Sequence, residues 1–158
     1  MKKILLVNGP NLNLLGKREV SIYGTDSLDD INQELQDIAK KHDFIIDAIQ
    51  SNSESEIIDV LQKAFLDNQY VAIIINAAAY THTSIAMLDC LRLFTIPIME
   101  VHLSEPLKRE KFRHVSYISE VAHKVFKGEG KNSYIKALYE IINRSEEHTS
   151  ELQSQFRI

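Results

Sequence analysis

KILLVNGPNLNLLGKREVSIYG, from Lys3 to Gly24, opens with a strand that runs straight into a long loop. Ile4 to Val7 is an apolar run of strand length. It stops at Asn8-Gly9-Pro10-Asn11, which is turn chemistry. The loop beyond holds Asn11, Asn13, Arg18 and Tyr23 and is pinned by Gly16 and Gly24. A loop of this length in a compact chain is either functional or disordered, and Leu12, Leu14, Leu15 and Ile22 argue against disorder. The stretch reads as a lid over a site at the carboxyl end of the first strand.

The rest of the chain repeats the pattern of strand, turn and helix. Thr25-Asp26-Ser27 caps a helix that carries Leu28, Ile31, Leu35 and Ile38 at helical spacing to about Lys41. Phe44 to Ile49 is a second strand, and Ser53-x-x-Glu56 resembles a capping box for a second helix. Tyr70 to Ile75 is the most continuous apolar run and fits a strand buried on both faces. Thr81 to Ser84 supplies capping hydroxyls for a third helix reaching about Phe94. Ile96 to Val101, Val121 to Phe126 and Ser133 to Asn143 read as a fourth strand, a short last strand and a last helix. Strands alternating with helices imply right-handed crossovers and a flavodoxin-like α/β domain, a parallel sheet with helices on both faces. Residues 1–143 form that single domain. The tail, 144–158, with its RSEEHTSELQS, lacks apolar periodicity and is expected to be irregular. It also resembles an in-frame translation of a sequencing-adapter oligonucleotide, as an assembly artefact would.

Composition narrows the function. The chain has 158 residues, 44% of them hydrophobic, which is enough for one sizeable core. A net charge of -4 leaves no basic footprint for nucleic acid. No apolar run reaches membrane-span length, and Met1-Lys2-Lys3 leads directly into a strand. The one cysteine, Cys90, sits among Met87, Leu88, Leu91 and Leu93, as a buried structural thiol does. A cytoplasmic protein without membrane or nucleic-acid partners is expected.

In open parallel sheets, ligands bind outside the carboxyl ends of the strands. Asn11 and the lid follow the first strand, and Asn76 and His82 follow the third. Glu100, His102 and Ser104 lie at the end of the fourth, and Arg113 follows in the next loop. Pro10 removes an amide where a phosphate cradle would need one, so the first turn is not a nucleotide fingerprint. The spacing of His82, His102 and His114 matches no metal-ligand pattern. Arg18 beside Tyr23 favours the phenolate and points to a general base; the alternative is a loop aromatic packed on the arginine stem. Glu100 and His102 share a strand face, so the carboxylate can orient the imidazole as an acid; the alternative is two groups solvated separately. Arg113 is either a ligand-binding charge or one charge in a solvated run.

NGPNLNLLGKRE, IYG, QSN, INAAAYTHTS, EVHLS and REKFRHVSYIS, in this order over about residues 3–143, resemble the type II 3-dehydroquinate dehydratases. The resemblance implies a hydro-lyase that converts 3-dehydroquinate to 3-dehydroshikimate without a cofactor or metal, in the shikimate pathway or in quinate breakdown. It assigns Tyr23 as base, Arg18 as the charge that keeps it ionised, Asn11 as enolate stabiliser through an ordered water, and His102, oriented by Glu100, as acid. It gives Asn76, His82, Leu103, Ser104 and Arg113 to substrate binding. It also implies a dodecamer built from trimers, in which Asp89 reaches a neighbouring subunit's site. A flavodoxin-like binding module and an inactive homologue are the competing readings; the first lacks a phosphate-cradling glycine pattern, and the intact set of reactive residues argues against the second.

The chain departs from the family at four places. Ala77 follows Asn76 where Pro is usual, and Ser53 and Ser55 replace His and Gly after QSN. Val20 stands where Pro is common in the lid. Glu105 stands where Asn is usual, adding negative charge near a site expected to bind an anion.

Overall fold

The structure is a computed structural model that describes residues 1–155. Five parallel strands, β1 (Lys2–Asn8), β2 (Phe44–Gln50), β3 (Tyr70–Asn76), β4 (Ile98–His102) and β5 (Lys124–Lys127), form one sheet in the order β2-β1-β3-β4-β5. This is the flavodoxin-like order expected from the alternating elements. The helices are α1 (Val20–Tyr23), α2 (Leu28–Lys41), α3 (Glu54–Asp67), α4 (Ile85–Leu91) and α5 (Lys131–Gln155).

Alternation along the strands divides the core in two. Ile4 and Leu6 of β1, Ala72 and Ile74 of β3, and Met99 and Val101 of β4 pack with α2 and α5. Leu5, Val7, Ile73, Ile75 and Ile98 pack on the other face with α3 and α4. A sheet covered on both faces needs strands that are apolar on both sides, which is why Ile4 to Val7 reads as an unbroken run. Helices α2, α3 and α4 each start where a hydroxyl accepts an orphan amide. Ser27 Oγ accepts the Asp30 N–H at 3.0 Å while Asp30 returns the bond to the Ser27 N–H at 3.1 Å. Ser53 and Ser84 cap α3 and α4 by accepting from Glu56 and Met87 at 3.2 and 2.9 Å. Among the described residues, no helix is long and apolar enough to cross a membrane.

Four boundaries differ from the expectation. β4 begins at Ile98 rather than Ile96, because Pro97 has no N–H to give the ladder; its carbonyl accepts the Ile73 N–H at 2.9 Å. β5 begins at Lys124, because Val121 and Ala122 close a short turn on the Ile118 carbonyl at 3.1 and 3.0 Å. The lid is not wholly irregular: it contains the single turn α1, entered through Glu19 with a left-handed φ of 38° and left through Gly24 with φ of 90°. The tail expected to be irregular continues α5 to Gln155. Glu, Gln, Leu and Arg are good helix formers, and nothing from Arg144 to Gln155 stops a helix. Lys2 Nζ and Ser145 Oγ join the start of β1 to the extended helix, and the last three residues of the tail lie outside the described ones.

β1 and β3 leave the sheet in close contact. The Gly9 N–H donates to the Asn76 carbonyl at 2.8 Å, and a Cβ on Gly9 would stand 2.3 Å from the Ala77 carbonyl oxygen. Gly9→Ala is therefore expected to cost about 1–3 kcal/mol or more through overpacking. A chemical-denaturation midpoint reads this directly; an unchanged midpoint would mean that the two loops separate without strain.

Candidate active site

A cavity opens where β1, β3 and β4 end. It is lined by Asn11, Arg18, Tyr23, Asn76, His82, His102, Leu103, Ser104 and Arg113, all expected site residues, and also by Arg109. Glu100 and Asp89 do not line it. Glu100 lies buried behind His102, and Asp89 is exposed on α4, 3.9 Å from Arg92.

Tyr23 sits on α1 beneath two guanidinium groups. Arg109 Nη1 donates to its hydroxyl at 2.8 Å and Arg18 Nη2 at 3.3 Å. Both groups also lie over the ring, 4.7 Å (Arg18) and 5.2 Å (Arg109) from its centroid. Arg18 is shared, since Glu19 accepts from the same nitrogen at 2.8 Å. Arg109 lines the cavity and bonds Tyr23, yet sequence reasoning passed over it. It stands four places before Arg113 in a charged stretch whose default reading is solvated surface. The four-residue spacing from Arg113 was the available signal. Arg113 keeps a rim position, with its Nε on Glu110 at 2.9 Å.

The second reactive pair is His102 and Glu100. His102 Nε2 bonds Glu100 Oε2, and the carboxylate also accepts from Ser116 Oγ at 2.7 Å and Ser119 Oγ at 2.6 Å. Burial pushes the Glu100 carboxyl upward, but the bond and charge of His102 and the hydroxyls of Ser119 and Ser116 outweigh it and hold the group below the usual value. An anionic carboxylate only accepts, so Nε2 carries the hydrogen and Nδ1 is the ring nitrogen left to exchange a proton. His82 is fixed differently: its Nδ1 donates to the Val115 carbonyl at 2.7 Å. Burial lowers its pKa, partly opposed by that bond, so it is neutral near pH 7.

Asn76 is tied into the frame. Its Nδ2 donates to the Tyr134 hydroxyl at 2.9 Å and its Oδ1 accepts the Ala78 N–H at 3.1 Å. The second hydrogen on Nδ2 remains for a ligand. That second bond holds Ala78 in the left-handed region, φ 51°, where an alanine is strained. The departure at Ala77 thus leaves the Asn76 turn formed. Glu105 does not face the cavity: its carboxylate pairs with Lys127 Nζ at 3.3 Å, so the added negative charge is offset at the sheet edge.

A flavodoxin-like domain with a guanidinium-flanked tyrosine and a carboxylate-held histidine in one cavity is equipped for general acid–base chemistry. Its family follows from the sequence as a whole: the family model for "Dehydroquinase class II" matches residues 2–142, and the chain belongs to that family. It is 52% identical over 137 residues to the 3-dehydroquinate dehydratase of Idiomarina loihiensis, covering 86% of this chain and 89% of that one. It is 48% identical over 143 residues to the enzyme of the same name from Clostridium botulinum, covering 90% and 96%. The type II dehydroquinase structure from Butyrivibrio crossotus superposes with a TM-score of 0.85 at 38% identity, covering 89% of this chain and 97% of that one.

The lowered pKa of Glu100 fixes the sign of an acid effect. Its stabilisation is present above the ordinary carboxylate value of 4.5 and is lost as pH falls through the lowered folded value. Glu100→Gln is expected to be less stable than the parent at pH 7 and to show a shallower loss on acidification. Thermal melts from pH 7 to 3 measure both; parallel melting curves would rule out the charged buried pair.

Proposed function

We propose that this chain dehydrates 3-dehydroquinate to 3-dehydroshikimate, as its named relatives do, by acid–base chemistry alone. The observation that carries the reading is the Tyr23 hydroxyl held by Arg109 and Arg18, in the same cavity as His102 on its buried carboxylate.

In this mechanism the Tyr23 phenolate takes a proton from the carbon beside the substrate ketone. The two guanidinium groups stabilise the phenolate before the transfer and leave a neutral phenol after it. Electron density moves to the ketone oxygen as an enolate, which Asn11 stabilises through an ordered water. The enolate then re-forms the ketone as the neighbouring carbon–oxygen bond breaks. His102 gives its proton to the departing hydroxyl, so that one water leaves; Tyr23 then releases the proton it took and His102 takes one up from solvent, which restores the phenolate and the imidazolium. No electrons enter or leave the site. Glu100 supports His102 by stabilising the imidazolium that donates. His82, Ser104, the Leu103–Ser104 backbone, Asn76 and Arg113 hold the substrate's hydroxyls and carboxylate.

The wider setting belongs to the same reading. The enzyme serves aromatic biosynthesis through the shikimate pathway, or quinate breakdown, in the cytoplasm, and works as a dodecamer of trimers. In this reading Asp89, exposed on α4 and outside its own cavity, reaches a neighbouring subunit's site.

The test is an ultraviolet assay that follows the conjugated enone carboxylate formed from 3-dehydroquinate, with a chelator present. Turnover undiminished by chelation is expected. Tyr23→Phe, Arg18→Ala and Arg109→Ala are each expected to lose about 100-fold or more in kcat with melting temperatures near that of the parent. Normal rates in Tyr23→Phe would remove the mechanism, and silence from the folded parent would remove the activity.

A further inference from the structure

The QSN turn after β2, Gln50-Ser51-Asn52, has no part in the chemistry above and lines no wall of the cavity. Its side chains nevertheless reach the loops that do. Asn52 Oδ1 accepts the backbone N–H of Asn11 at 3.0 Å. The same oxygen accepts Gln50 Nε2 at 3.2 Å, and that nitrogen also donates to the Gly9 carbonyl at 3.1 Å. The Asn52 carbonyl accepts the Tyr80 hydroxyl at 2.6 Å, which ties in the turn carrying Ala78, Ala79 and His82. One residue thus holds the loops that leave β1 and β3.

Asn11 needs such a hold. Its φ is 69°, a left-handed conformation that asparagine tolerates better than other residues with a Cβ but that its surroundings must still select. Its own carbonyl closes the next turn, accepting the Leu14 N–H at 3.0 Å, so the Asn52 oxygen supplies the bond on the other side. Asn52 itself is exposed and belongs to neither core. Core packing gives no reason for an asparagine at this position, whereas the two hydrogen bonds accepted by its side-chain oxygen do. The turn is anchored from behind: the Ser51 N–H donates to the Asn8 carbonyl at 3.1 Å, and Ser51 Oγ accepts the Ser53 N–H at 3.0 Å. Ser53 joins this turn to α3, giving its N–H to Ser51 and accepting the Glu56 N–H on its Oγ.

We infer that Asn52 is a positioning residue that acts through Asn11, fixing the group that stabilises the enolate. The inference deepens the dehydratase reading and rests on it for the role of Asn11. Displacing a stabilising group by a fraction of an ångström weakens the transition state while leaving ground-state binding nearly intact. Asn52→Ala is therefore expected to lower kcat by roughly 10- to 100-fold with a much smaller change in KM. Asn52→Asp, which keeps an acceptor for the Asn11 amide, is expected to recover most of the loss. Because both residues serve one interaction, Asn52→Ala placed on Asn11→Ala should slow the enzyme no further. Hydrogen exchange at the Asn11 amide should accelerate in Asn52→Ala and not in Asn52→Asp. An unchanged kcat in Asn52→Ala, losses that multiply in the double variant, or an unaltered Asn11 exchange rate would each overturn the inference. A folded parent without turnover would instead overturn the dehydratase reading, and the exchange measurement would still judge the clamp.

Discussion

The site depends on where two parallel strands part. Asn8 of β1 and Asn76 of β3 are register partners at the centre of the sheet, and both bond the hydroxyl of Tyr134 on α5. Beyond this pair, β1 crosses over to β2 on one side and β3 to β4 on the other, so the chain must open a crevice there. The Tyr134 hydroxyl is fully buried, and burial raises its pKa enough that it stays neutral and both accepts and donates. A neutral buried hydroxyl with two amide partners closes the crevice floor without a charge. The reactive groups then stand on loops whose starting points cannot drift.

The cavity keeps its opposite charges apart. Arg18 and Arg109 gather at Tyr23 on the lid side, and Glu100 is held behind His102 at the end of β4. A buried carboxylate persists only when donors replace the water it has lost. Ser116 and Ser119 bring two such donors from a loop distant in sequence. Around Tyr23 the arrangement is the reverse, with positive charge gathered at the hydroxyl. Glu19 does compete for Arg18, but Arg109 has no carboxylate partner among the described residues and gives Tyr23 the shorter bond.

Much of this was legible in the sequence where a local rule acts. Unbroken apolar runs placed β1 and β3, and serine hydroxyls marked the starts of α2, α3 and α4. The parallel sheet then brought nine expected residues into one cavity. What the sequence hid depends on contacts made through space. Arg109 looks like its charged neighbours until the lid folds over it, and Tyr134 looks like one more apolar helix position. The helical tail escaped because its polar residues show no periodicity, although their intrinsic preference for helix was on the page. Glu105 invited concern for the opposite reason: sequence gave its charge but not its partner across the chain.

β5 is four residues long and edges the sheet beside β4, with a lysine at each end. Lys124 pairs with Glu140 on α5 at 3.2 Å, and Lys127 with Glu105 at 3.3 Å. An open strand edge recruits stray strands from other chains, and lysines on a short edge discourage this because pairing would strip their ammonium groups of water. Lys127, which offsets Glu105, and Lys124 at the far end of the strand therefore also guard the molecule against fibrous association through this edge of its sheet.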